Sequence, residues 1–318
     1  NHIRMIPARG EMGAGHMADG YARAHNGLGV VFTSTGPGAA NVAGAIVESR
    51  FAGSSVLHIT GQTATENLDK NQGTVHDVPN QLGMLSSISK EAIRIDDEDE
   101  ALEKLIYACK IALTPPKGPV SIEIPIDIQR KKIKRPALLD TISLPHINDE
   151  LGDTKSIDEI ENSIKSSKRK IIWVGNGAKF ATEEVNLFIK MGFAVVTSTQ
   201  GRGVVSETNK MCLGAFNAVP LIEEFYKTLD LMLVVGSRLR GHETRDMSLE
   251  LPKNLVQIDI DPSAKNRTYK TNQFHCGDAK KVLAELAKRL AGKISVENEW
   301  IDEVSNLKKQ IYLDYKNM

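Results

Sequence analysis

The sequence predicts an α/β protein built from two doubly wound parallel-sheet domains joined by a linker. Three observations carry that expectation. Short, continuously apolar runs of the kind buried on both sheet faces recur along the chain. Segments with helical spacing follow most of them, which implies parallel strands joined by right-handed crossovers. A polar stretch at 129–153, carrying Lys, Arg, Pro, Asn and Asp without periodicity, separates two such series. The 318 residues also suit two cores of about 150 residues each.

The first domain is expected over 1–128. It should open with a short strand at 3–6 and a Gly- and Ala-rich helix at 10–25. Residues 29–33 (GVVFT) form the next strand, and Pro37 opens a helix over 38–51. Proline suits a first helical turn because its missing N–H would lack a partner there anyway. Residues 55–60 give a third strand. The polar stretch 62–79 has no apolar period and reads as a long loop, a kind of segment that tends to be functional. A helix at 97–113 and a strand at 119–124 close the domain.

Beyond the linker, strands are expected at 170–174, 194–198, 231–235 and 256–260, with helices at 156–166, 183–191, 220–227 and 279–290, giving a second domain over 154–293. Residues 294–318 read as a linker helix: Trp300, Ile301, Val304, Leu307, Ile311 and Tyr312 have the spacing of one buried face.

Composition narrows the function classes. Lys+Arg and Asp+Glu are 40 each, so no net field favours nucleic acid or acidic lipid. The basic run at 130–135 falls in the linker and reads as solvated. Cys109, Cys212 and Cys276 are odd in number and far apart, which supports neither a disulfide framework nor a thiolate metal site and fits a reducing, cytoplasmic compartment. No apolar run approaches the ~20 residues of a membrane span, and no signal-peptide pattern opens the chain. Both ends read as cut within an element.

Two segments could carry chemistry. In 9–23 (RGEMGAGHMADGYAR), Gly13, Gly15 and Gly20 each cost a helix roughly 1 kcal/mol relative to Ala. Such a cost points to close approach by another backbone or a ligand. Glu11 lies in the first turn, where the helix dipole favours a carboxylate. Alone, it reads either as a capping acid on a close-packed helix or as a ligand-facing group. The second segment, 33–41 (TSTGPGAAN), is a strand end, a Gly-rich turn and a helix start, the usual ligand position in an α/β sheet. It lacks the Gly-x-Gly-x-x-Gly and Walker spacings, which disfavours both phosphate cradling and an NAD-linked dehydrogenase.

In order, these segments and those that follow resemble the acetolactate synthase-like family of thiamin-diphosphate enzymes. The resemblance rests on Glu11 in a helix ending Asp19-Gly20-Tyr21-Ala22-Arg23, then Thr33-Ser34 with Gly36-Pro37-Gly38 and Asn41. Ile59-Thr60-Gly61-Gln62, Ser89-Lys90 and Gly118-Pro119-Val120 through Asp127 follow. The second half adds Val174-Gly175-Asn176-Gly177-Ala178, Gly236-Ser237-Arg238, Ile258-Asp259-Ile260-Asp261-Pro262 and Gly277-Asp278-Ala279.

The resemblance implies that Glu11 bonds N1′ of the cofactor's aminopyrimidine and so promotes the C2 ylide that attacks a 2-oxo acid, for decarboxylation or carboligation. Pro37, Gly38 and Asn41 would lie against the cofactor, with Gln62 nearby. His76 stands where the acetolactate synthases resemble a glutamine facing substrate; it reads as a general acid, a carboxylate binder or a surface histidine, and it puts acetolactate formation itself in question. Lys90 would reach the substrate entrance or a flavin, or else be solvated.

In the second domain, Gly175, Gly177 and Arg238 are candidates for a nucleotide. FAD is possible, although Arg238-Leu239-Arg240-Gly241-His242 departs from the synthases' pattern. Asp261 reads more simply as the cap of the turn at Pro262. The family's diphosphate- and Mg-binding domain carries Gly-Asp-Gly followed by Asn; Gly277-Asp278-Ala279 lacks the second Gly, and Asp278 reads as a helix cap. That domain is expected to be absent from the chain, with Mg bound through it, and the chain alone to be inactive. A homodimer or tetramer with the site between subunits is the expected assembly. The alternatives are an FAD- or ADP-binding module without catalysis, or a relative such as a 2-hydroxyacyl-CoA lyase.

Overall fold

A computed structural model describes residues 3–142 and 151–316. The chain divides into two compact units, residues 1–147 and 148–318. Part of the expected linker, 143–150, lies outside the described residues, as do the first two and last two positions.

The first unit begins with α1 (Glu11–His25), β1 (Gly29–Thr33), α2 (Pro37–Asn41) and α3 (Ala43–Ala52). It continues through β2 (Val56–Gln62), α4 (Gln81–Ile88), β3 (Glu91–Arg94), α5 (Ala101–Leu113), β4 (Val120–Pro125) and α6 (Ile126–Arg130). The strands form a parallel sheet in the order β1-β2-β4-β3. One face packs Val31 and Val56 against Ala18 and Ala22 of α1 and Ala45 and Ile46 of α3. The other packs Leu57, Val120 and Ile122 against Ala108 and Ala112 of α5. Helices therefore cover both faces, as the sequence predicts.

Three expectations need correction. Residues 3–6 form no strand: they are exposed and pair with no strand among the described residues, and an extended segment without a ladder partner keeps its backbone in water. The helix expected over 38–51 is two helices, which meet at Val42. The stretch before α5 holds a helix and a strand, α4 and β3, that periodicity did not reveal. β3 is a four-residue edge strand whose side chains are all half-buried, so it shows neither a continuous apolar run nor alternation.

The second unit comprises α7 (Thr154–Ser166), β5 (Lys170–Val174), α8 (Thr182–Lys190), β6 (Phe193–Thr197), α9 (Pro220–Tyr226) and β7 (Leu231–Val235). β8 (Leu255–Asp259), β9 (Gln273–Cys276), α10 (Ala279–Leu290) and α11 (Asn298–Lys316) complete it. Its sheet is parallel in the order β6-β5-β7-β8-β9. Side chains alternate between two cores: Ile172, Val174, Leu233 and Val235 face α7, α8 and α10, whereas Ile171, Trp173, Met232 and Val234 face α9 and α11. Asp278 caps α10 by accepting the Lys281 N–H, and Asp261 caps the Pro262 turn by accepting the Ser263 N–H. No helix among the described residues is long and apolar enough to cross a membrane.

Candidate functional site

In the first unit the sequence candidates gather around the turn that follows β1. Gly36 has φ +57, and a Cβ there would lie 2.3 Å from the His76 carbonyl oxygen. Both the left-handed backbone and the close approach require glycine. Pro37 then starts α2, and a Cβ on Gly38 would meet Ser34 Oγ at 2.5 Å. A tightly built turn thus connects β1 to α2, with Asn41 at the last position of that helix.

Asn41 Nδ2 donates to Glu11 Oε2 at 3.3 Å, which brings the two motif segments together across 30 residues. Glu11 is the first residue of α1, half-buried, and its other carboxylate oxygen accepts no hydrogen bond among the described residues. A carboxylate on a helix N-terminus with one face open suits a ring nitrogen that shares a proton with it. The chain's residues fit the aminopyrimidine end of a thiamin cofactor.

Of the three glycines in α1, the structure accounts for Gly15. A Cβ there would meet Ala45 Cβ at 2.6 Å and Val42 Cγ2 at 2.8 Å, so this glycine lets α1 lie against α3, whereas Gly13 and Gly20 face open space.

Gln62, at the end of β2, is buried. Its Nε2 donates to Glu123 at 3.2 Å and its Oε1 accepts the Thr63 N–H at 2.7 Å. His76 sits with φ +62, its imidazole exposed beside the Gly36 turn. Thr74 Oγ1 and Asp77 Oδ2, on either side of it, are buried without a hydrogen-bond partner. Buried unpaired oxygens are costly, and on a loop next to a ligand turn they mark places a polar ligand could satisfy. Lys90 is not directed there: its ammonium donates to the Ile111 and Thr114 carbonyls at 2.8 Å each, closing the C-terminus of α5, and burial lowers its pKa.

Sequence reading did not single out Gln81, Arg94 and Glu123, which lie behind the turn. Gln81 accepts the Gly36 N–H at 2.8 Å and the Thr35 hydroxyl at 3.3 Å, and it donates to the Gly61 carbonyl at 3.0 Å. One signal was available: Glu123 sits inside the apolar run Val120–Pro125. A carboxylate at such a position needs a partner.

In the second unit Gly175, Gly177 and Arg238 come together at the carboxyl ends of β5 and β7, where the strand order reverses. The glycines are occupied by the fold. A Cβ on Gly175 would lie 2.2 Å from the Gly236 carbonyl oxygen, and one on Gly177 2.7 Å from Gly236 Cα. The two turns lie directly on each other, tied by Gly177 N–H donating to Gly236 O at 2.9 Å. Arg238 follows on the same turn. Close packing between turns explains these glycines without a diphosphate.

Both units resemble parts of known proteins. Residues 1–84 match the family model described as the thiamine pyrophosphate enzyme, N-terminal TPP binding domain, and residues 157–286 match the thiamine pyrophosphate enzyme, central domain. A probable acetolactate synthase large subunit of Methanococcus aeolicus is 29% identical over 95% of this chain and 53% of its own length. The acetolactate synthase large subunit of Corynebacterium glutamicum is 27% identical over 98% of this chain and 51% of its own. A probable 2-ketoarginine decarboxylase of Pseudomonas aeruginosa is 28% identical over 91% and 51%. The chain spans about half the length of these relatives.

Proposed function

The chain belongs to the acetolactate synthase-like family of thiamin-diphosphate enzymes, and from that premise we propose that it supplies the pyrimidine-binding half of a 2-oxo acid decarboxylase or carboligase site. The observation that carries this reading is the Asn41–Glu11 contact at 3.3 Å, which sets a half-open carboxylate beside the turn at Pro37 and Gly38. When bound, the cofactor supplies an electron sink for cleaving the bond next to a carbonyl. Glu11 holds and moves a proton at the pyrimidine ring nitrogen. Asn41 fixes the rotamer of that carboxylate. The turn after β1 would hold the ring within reach of Glu11, and His76 would face the substrate's carboxylate.

Among the described residues no group of three or more His, Cys, Asp or Glu side chains could hold a metal. The glycines at β5 and β7 are taken up by turn packing, so the residues there do not argue for a flavin. We place the assembled site between two subunits of a homodimer or larger oligomer.

The test is turnover of 2-oxo acids by the complete native protein with thiamin diphosphate and Mg²⁺. Glu11→Gln should lower kcat at least about a hundredfold, the range expected when an acid–base group is removed. Unchanged turnover in that variant would remove Glu11 from the mechanism. His76→Ala should raise the 2-oxo acid KM more than it lowers kcat; the reverse would assign it proton transfer instead.

A further inference from the structure

Behind the turn lies a polar cluster that the proposed chemistry does not use. Glu123 on β4 is fully buried. Arg94 Nε donates to its Oε1 at 2.5 Å, while Gln62 Nε2 at 3.2 Å and Gln81 Nε2 at 2.9 Å donate to its Oε2. The sheet register places Glu123 opposite Thr60 of β2 and Arg94 of β3. Arg94 reaches outward as well, and its guanidinium donates to both Asp69 oxygens, at 2.8 and 3.3 Å. Asp69 and then Glu123 hold that guanidinium firmly charged.

A carboxylate can only accept hydrogen bonds, so it dictates how both glutamine amides lie. Each must turn its NH₂ toward Glu123. Their carbonyl oxygens then face the other way. Gln81 Oε1 meets Gly36 N–H and Thr35 Oγ1, and Gln62 Oε1 meets Thr63 N–H and lies 3.5 Å from Thr35 Oγ1. A neutral group at position 123 would remove that constraint, because an amide there could donate as well as accept.

We propose that Glu123 is a positioning residue that sets two segments at once. Through Gln81 and Gln62 it fixes the turn at 35–38, and through Arg94 and Asp69 it fixes the loop at 63–80 that carries His76. The two segments meet where the His76 carbonyl lies on Gly36. The consequence for cofactor and substrate placement rests on the pyrimidine-site reading above; the mechanical claim does not.

Hydrogen–deuterium exchange on the 318-residue chain separates the two arms. Asp69→Asn should speed exchange about tenfold in 63–80 and leave 33–42 unchanged, the scale of one charge-assisted hydrogen bond. Gln81→Ala should do the reverse. Glu123→Gln should loosen both segments while 101–113 and the second unit keep their protection. Acceleration across the whole first unit in a single-arm variant, or no change in Glu123→Gln, overturns the proposal. Should Glu123→Gln fail to fold, the single-arm variants decide: loosening of the same segment by both, or of neither, overturns it.

In the complete protein, the half-saturating thiamin diphosphate concentration should rise about tenfold for Glu123→Gln and Gln81→Ala and stay unchanged for Asp69→Asn. An equal rise in all three marks general destabilisation and overturns the positioning role. Failure of the pyrimidine-site reading shows separately, as turnover indifferent to Glu11→Gln with the exchange pattern intact.

Discussion

His58 and Asp259 are buried titratable residues, and each makes its unit respond to pH. His58 lies in the first sheet between Thr33 Oγ1, 2.9 Å from its Nε2, and Ser121 Oγ, 3.1 Å from its Nδ1, and Ser121 continues to Ser89 at 2.7 Å. Burial lowers its pKa from 6.5 to about 4. Between those values the unfolded chain binds a proton that the folded unit refuses. Stability is therefore full above pH 6.5 and falls as pH drops toward 4, by on the order of 3 kcal/mol. His58→Leu should flatten that slope in urea titrations of the first unit. Asp259 behaves in the opposite sense. Burial raises its pKa from 3.8 to about 6, although its carboxylate accepts the Asp261 N–H. The folded unit then holds a proton that the unfolded chain releases, so this contribution is present below pH 3.8 and lost as pH rises through 6. Asp259→Asn should stabilise the second unit at neutral pH by up to about 3 kcal/mol, checked by its urea midpoint. Neither environment can be read from composition, because burial comes from the fold and the hydroxyls around His58 lie 25 and 63 positions away. The same holds for Gln81 and Glu123, which touch across 42 positions.

Among the elements, α1 separates glycines that packing requires from those it does not. Gly15→Ala would drive a methyl into Ala45 and Val42 and should cost about 1–3 kcal/mol. Gly20→Ala meets nothing within 4 Å and should stabilise by about 1 kcal/mol. Equal effects of the two on the urea midpoint would contradict the packing described here. α11 is held by Trp300, whose Nε1 donates to the Gly192 carbonyl at 2.7 Å while its ring stacks on Phe225 at 5.6 Å. Trp300→Ala should cost the second unit about 3–5 kcal/mol, read from its thermal midpoint. Elements with continuous apolar runs were legible from sequence: the strands at 29–33, 170–174 and 231–235 and the helix at 279–290 have the expected bounds. The edge strands β3 and β9 were not, since neither Glu91–Arg94 nor Gln273–Cys276 has an apolar pattern. At the candidate site, Glu11, Pro37 and Asn41 lie in short local segments whose resemblance to the family's motifs singled them out. The network behind them could not, because it arises only when β2, β3 and β4 align.

At the scale of the whole molecule, two units with their own cores and opposite buried titrations should give two thermal transitions that move oppositely between pH 4 and 6. The first unit should gain with rising pH while the second loses, provided His58 and Asp259 dominate; calorimetry over that range checks it. The alternation of strands and helices made this two-part α/β architecture legible before any coordinates. Strand order, which it did not supply, gives the two halves different histories during synthesis. In the second unit the order lets β5 and β6 pair first and β7, β8 and β9 then add one after another on the free side as the chain lengthens. In the first unit β3 has no neighbour until β4, about 30 residues later in the chain, has been made and inserted between it and β2. Arg94 and Glu123 meet only at that step. The first sheet thus cannot close until its last strand is available, and a released chain that ends before residue 120 would leave β3 without a partner strand.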